Sequence, residues 1–164
     1  MPLSPAAIGI ILINNNSEVL LVKRQDVPYW VLPGGGIEDG ETPEDAVVRE
    51  VFEETKLHIS VLKTTAIYTP INFLSAKTFL FKCKIDSGIP SATDECSDVA
   101  FFSLDQLPST LFFIHKKWLF ENLNSSQLIK RPLNEISFFA LFLYFIKHPW
   151  TVLRFAWTRL FKDS

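Results

Sequence analysis

The chain has 164 residues, enough for one ordinary domain with a real core and a short surplus. Its net charge of −2 divides unevenly: residues 1–129 carry 10 basic and 16 acidic side chains, and residues 130–164 carry 6 and 2. The acidic body argues against nucleic-acid polymers as partners, since polyphosphates favour basic surfaces, but it leaves room for a small phosphate ester bridged by a metal.

The apolar run at 6–13, "AAIGIILI", has no positive charge before it, so it reads as a buried strand and not as a signal peptide. "NNNS" is a turn signal joining it to a second strand, "EVLLVKR". "YWVLPGGG" ends a short strand in a glycine-rich loop. Thr42-Pro43 then opens a helix over 43–55, with Thr42 and Asp45 forming a capping box that uses Asp in place of Glu or Gln. "HISVLKTTAIYT", "AKTFLFKCKI" and "SDVAFFSL" predict three further strands, and a last helix is expected near 110–123 with Ser109 as its N-cap. The polar, proline-bearing stretch 125–134 reads as a linker between a domain at 1–124 and an apolar extension at 135–164. Cys83 and Cys96 stand in no metal or redox spacing, which fits packed thiols in a reducing, cytoplasmic setting.

Eight of the 18 carboxylates fall between Glu38 and Glu54. On a helix, Val47, Val48, Val51 and Phe52 share one face and Arg49, Glu50, Glu53 and Glu54 share the other. Glu50, Glu53 and Glu54 stand at i, i+3 and i+4, so their carboxylates converge. Such a cluster is either a solvated helix face or a site for a hard divalent cation, because Mg²⁺ and Mn²⁺ favour carboxylate oxygens. The bare backbone of Gly34, Gly35 and Gly36 just before the helix allows close approach of a metal or phosphate.

The stretch 34–57, "GGGIEDGETPEDAVVREVFEETKL", resembles the signature of the Nudix hydrolase superfamily through Gly35, Glu41, Arg49, Glu50, Val51, Glu53, Glu54 and Leu57 at the family's spacing. One position departs: Lys56 stands where the family has glycine, and a left-handed lysine there costs about 1 kcal/mol. The resemblance, extended by the order of strands and by "FFSLDQLP", implies an α/β/α sandwich with a mixed sheet over roughly residues 5–125. It implies hydrolysis of the diphosphate linkage of a nucleoside diphosphate derivative. In that reading Glu50, Glu53 and Glu54 hold Mg²⁺ or Mn²⁺, Gly34 adds its carbonyl, Arg49 orients a glutamate, and Glu41, Gly35 and Gly36 support the loop. The general base is Glu50, Glu53 or a later acid, Glu95 or Asp98. A catalytically idle module that binds a nucleotide or protein partner is the alternative, but idle members lose glutamates that this chain keeps. Arg24 is a candidate phosphate ligand, and Trp30 fits either a nucleobase or a core position. The expected core includes Ile10, Leu12, Leu21, Val48, Val51, Phe52, Phe79 and Phe81, and His58, His115 and His148 share no ligand spacing. Tyr68 and Pro70 come too early for the family's substrate markers. The lead-in "LLVKR…W-x-L-P-G-G-G" most resembles the nucleoside-triphosphate branch.

Residues 136–161 hold 18 apolar side chains of 26. They predict an all-round apolar helix at 136–146 and, after Pro149, a second helix with Arg154, Arg159 and Lys162 opposite Trp150 and Trp157. A membrane surface, the domain itself or a second copy in a homodimer are the partners this segment fits. A kinked membrane span nearly balances, because Lys147 and Arg154 near mid-bilayer cost about 2.5–3.5 kcal/mol each.

Overall fold

The computed structural model describes residues 4–13, 15 and 17–135. The expected helices beyond 136, and His148 with them, lie outside the described residues. In chain order the elements are β1 (Ala6–Ile13), β2 (Glu18–Arg24), β3 (Trp30–Val31), β4 (Gly34–Gly36), α1 (Pro43–Thr55), β5 (His58–Thr69), β6 (Thr78–Ser87), β7 (Cys96–Ser103), α2 (Phe113–Leu123) and β8 (Ile129–Pro132). β1 is the hub of a mixed sheet. It runs parallel to β6 and antiparallel to β2 and β4; β6 continues to antiparallel β5, and β5 to parallel β8. β7 and β3 attach antiparallel to β2. The expected sandwich is therefore present, with one helix on each face.

Alternation along β1 builds both cores. Ala7 and Ile11 face the α1 side with Leu20, Leu57 and Phe81, while Ile8 and Ile10 face the α2 side with Leu21, Tyr68 and Leu80. Gly9 sets how α1 sits, since a Cβ there would come within 3.3 Å of both Val47 and Val51. The helix lies flush over that glycine. Its buried stripe is accordingly Ala46, Val47 and Val51, and Val48 and Phe52, expected in the core, are 36% and 38% exposed. Phe52 stacks on His58 instead, with ring centroids 4.7 Å apart. Leu12 and Phe79 pack at the margins of the two cores.

The α1 cap is a reciprocal pair: the Asp45 N–H donates to Thr42 Oγ1 at 3.1 Å, and the Thr42 hydroxyl donates to Asp45 Oδ2 at 2.6 Å. The other end is closed by Lys56 in the left-handed region, φ 61°, whose N–H donates to Phe52 O. The Lys56 ammonium lies 5.2 Å from the Phe52 ring, a contact that offsets part of the strain. Lys56→Gly should therefore stabilise the protein by about 0.5 kcal/mol, less than the full ~1 kcal/mol of a left-handed residue. A thermal melt that falls on this substitution would show the side-chain contact to outweigh the backbone strain.

Two expectations need correcting. Helix α2 begins at Phe113 without a side-chain cap, because residues 110–112 are bonded to β3 through Trp30 N–H to Thr110 O and Phe112 N–H to Trp30 O. The stretch 125–134 is not a free linker: it contributes β8 to the sheet, and Leu133 is 1% exposed in the α2-side core. Among the described residues no helix is long and apolar enough to cross a membrane.

Candidate active site

The pairing of β4 with β1 brings the glycine loop under the acidic face of α1. Gly34 takes φ 138°, and a Cβ on it would overlap the Ala7 carbonyl oxygen, so the position requires glycine. A Cβ on Gly35 would collide with the Glu50 carboxylate, whereas Gly36 has open space around it. Gly34 is thus fixed by backbone, and Gly35 is favoured as long as Arg49 holds the Glu50 carboxylate where it is.

Arg49 organises the carboxylates. Its guanidinium donates to both Glu41 oxygens at 2.9 Å, to Glu50 Oε1 at 3.0 Å, to Glu53 Oε2 at 3.1 Å and to Gly36 O at 2.9 Å. The planar fork thereby ties helix, loop and acidic cluster together, an arrangement lysine could not copy. Hydrogen bonds from Arg49 and from the Glu38 N–H hold the Glu41 carboxyl below its ordinary range.

Glu50, Glu53 and Glu95 each place a carboxylate oxygen so that all three lie within 4.8 Å of one another. Glu54 does not join that trio, contrary to the convergence expected from helical spacing. Its Oε2 accepts from the Gly34 N–H at 2.8 Å and its Oε1 from the Cys96 thiol at 3.6 Å. Burial pushes the Glu54 carboxyl up to about 7, against the Gly34 hydrogen bond and with help from the Glu50 charge. Burial also raises Glu50, opposed by Arg49. Carboxylates held together and desolvated in this way are what a divalent cation relieves, and the all-oxygen donor set fits Mg²⁺ or Mn²⁺.

Of the two later acids, Glu95 completes the trio, while Asp98 is exposed in β7 opposite Lys23. Arg24 is paired to Asp26 at 2.6 Å with half its side chain exposed, and it stands close enough to Glu54 to favour that group's ionised form. Trp30 belongs to the core: it is 7% exposed and packs edge-on against Phe102, which leaves no open ring face for a base. Tyr68 is fully buried, with its hydroxyl donating to Glu121. The Nδ1 of His115 accepts from the Leu32 N–H at 3.0 Å, and burial lowers its pKa to about 3, which makes it a neutral structural group. The role of Cys96 against Glu54 had no signal in the sequence, because only the fold brings β7 beside the end of α1.

A family model described as "NUDIX domain" matches residues 3–121. Among curated proteins, an "ADP-ribose pyrophosphatase" of Methanocaldococcus jannaschii is 35% identical over 123 residues, covering 70% of this chain and 71% of that one. A "MutT-like protein" of Streptomyces ambofaciens is 27% identical over 125 residues, covering 76% and 80%. An "RNA pyrophosphohydrolase" of Psychromonas ingrahamii is 48% identical, but over 61 residues that make up 35% of this chain and 34% of the relative. Among solved structures, a "UDP-X diphosphatase" superposes with a TM-score of 0.65 at 25% identity, covering 79% of this chain and 67% of that one. An ADP-ribose pyrophosphatase from Streptococcus suis gives 0.62 at 25%, covering 78% and 97%.

Proposed function

The chain belongs to the Nudix family, and from that premise we propose that this hydrolase cleaves the diphosphate linkage of a nucleoside diphosphate derivative with the help of a divalent cation, Mg²⁺ or Mn²⁺. The observation that carries the reading is the carboxylate trio of Glu50, Glu53 and Glu95 beside the Gly34–Gly36 loop, locked by Arg49. Glu50, Glu53 and Glu95 would hold the cation, with Glu54 as the buried charge behind them. When bound, such a cation neutralises phosphate charge and lowers the pKa of a coordinated water.

The chain's own residues supply the rest. Arg49 keeps the Glu50 and Glu53 carboxylates facing one another and anchors them to the loop through Gly36 O. The proton of the attacking water falls to a carboxylate of this cluster, Glu50, Glu53 or Glu95, whose oxygens lie within 4.8 Å of one another. Gly36, with open space where a side chain would stand, leaves room for the diphosphate at the end of the glycine loop. Within the class, the sequence lead-in favours a triphosphate-like substrate, and the names of the relatives add ADP-ribose and nucleoside diphosphates joined to another group. Residues 136–164 are assigned an attachment role, toward an anionic membrane surface or a second copy, separate from the chemistry.

The test is a screen of the full-length protein against nucleoside triphosphates, ADP-ribose, dinucleoside polyphosphates and nucleotide sugars with Mg²⁺ or Mn²⁺. Turnover of at least one class, abolished by chelator, is expected. If Mn²⁺ binds and no member of the panel turns over, the idle binding module becomes the better account.

A further inference from the structure

β7 departs from regular pairing at one place. Lys23 lies opposite Asp98, but the next residue, Arg24, lies opposite Cys96, so Ser97 is left out of the register. Such an irregularity re-aims a side chain, and here its neighbourhood is firmly held. The Ser97 hydroxyl donates to Lys23 O, the Gln25 amide donates to Thr93 O, and the Thr93 N–H donates to Cys96 O. Consecutive residues of a regular strand point to opposite faces. With Ser97 bulged out, Cys96 and Val99, which regular alternation would put on opposite faces, pack together on the α1 side. There the Cys96 thiol touches Glu54, and Glu95, just before the strand, joins Glu50 and Glu53.

We propose that Cys96 is a positioning residue for Glu54, its thiol holding Oε1 while the Gly34 N–H holds Oε2, and that the β2–β7 bulge delivers it there. This rests on the metal-dependent reading of the site. A carboxylate gripped at both oxygens has one orientation, and Glu54 is the most buried acid of the site, close enough to Glu50 for the two charges to interact. Removing the thiol donor leaves Oε1 unpaired among apolar neighbours, since Cys96 is 1% exposed and packs with Val22 and Val31. The carboxyl would then be free to turn away, and its charge would no longer be held toward the cation ligands. Cys96 acts only through Glu54 and touches neither substrate nor cation.

The experiment uses the full-length protein with Mn²⁺ as probe. Mn²⁺ affinity is read by electron paramagnetic resonance or calorimetry, and kcat and KM are measured at saturating Mn²⁺. Cys96→Val keeps an apolar filling of similar size without a donor, and Cys96→Ser keeps a donor. The valine variant should bind Mn²⁺ roughly three- to tenfold more weakly and lose kcat with the nucleotide KM unchanged, as expected for one lost hydrogen bond from a weak thiol donor. The serine variant should stay within about twofold of the parent. Cys83→Val, which alters a buried thiol that donates to Phe81 O and to no acid, should leave Mn²⁺ affinity unchanged. Parental Mn²⁺ affinity in Cys96→Val overturns the proposal, as does serine failing to the same degree as valine. Should valine prevent folding, the serine result against Cys96→Ala decides by the same criteria. If the parent itself binds no Mn²⁺, the metal reading fails first, and that outcome is distinct from a parent that binds while Cys96→Val matches it.

Discussion

Replacing Glu54 with glutamine should make the metal-free protein more stable at pH 8 while lowering activity at least about tenfold, or roughly 1.4 kcal/mol of barrier. The stability half follows from the sign of the shift. Burial lifts the Glu54 carboxyl from 4.5 to about 7, so between those values the folded state keeps a proton that the unfolded state has released. The stabilisation from that proton is complete below about pH 4.5 and is lost as the pH rises through 7. At pH 8 the metal-free protein thus carries a buried charge that costs about 3 kcal/mol, the free-energy equivalent of that gap. Glutamine keeps an oxygen for the Gly34 N–H and carries no charge. Divalent metal should raise the melting temperature of the parent at pH 8, and the Glu54→Gln variant should gain much less. A metal-free variant less stable than the parent at pH 8 would show that the buried charge is offset within the protein. Unchanged turnover would remove Glu54 from the site. Glu53→Gln should lose activity to a similar degree, but with little stability gain, because Glu53 is more exposed and already paired with Arg49.

The contrast between Glu53 and Glu54 shows what the sequence could and could not reveal. Helical spacing placed Arg49, Glu50 and Glu53 together correctly, because i, i+3 and i+4 relations are fixed by the helix alone. The fate of Glu54 depends on its distant neighbours Gly34 and Cys96, and no local pattern encodes where β4 and β7 pass. The same limit explains Val48 and Phe52. Their apolar stripe was readable, but the rotation of α1 is set by contact with Gly9 on β1. A tryptophan beside a glycine loop can serve a base or a core, with the core the readier reading from sequence, and Trp30 packs against Phe102 on another strand. β8 was hidden because "IKRP" is short and polar in composition, and its partner β5 lies far away in sequence, with Ala66 opposite Ile129. The capping pair of Thr42 and Asp45, purely local, was legible in full.

Ending the chain after Asn124 should prevent stable folding, whereas ending it after Glu135 should leave a folded, active domain. The shorter chain loses β8, and with it the partner that covers the outer edge of β5. It also loses Leu133, whose burial contributes about 2 kcal/mol, and the cover that Arg131 gives Tyr68 at 4.6 Å from the ring. Arg131 further pairs with Glu121 at 2.7 Å, and Glu121 accepts the Tyr68 hydroxyl, so one cut unpairs a half-buried network. Losses of this kind take a large share of the margin of an ordinary domain, about 5–15 kcal/mol, and the bared β5 becomes a long edge open to aggregation. The longer chain keeps Glu135, bonded to Arg131 and Lys117, and that ion cluster closes the described domain. Comparing the two chains by circular dichroism and turnover tests the boundary. If the chain ending at Asn124 melts cooperatively near the parental temperature, β8 is an appendage and the boundary lies before it. Adding anionic vesicles at low salt then tests the attachment role. The full chain should sediment and the chain ending at Glu135 should not, because only the former carries Arg154, Arg159 and Lys162, each contributing about 1 kcal/mol near an anionic surface. Full-length protein that stays in solution as a stable dimer would instead assign residues 136–164 to self-association.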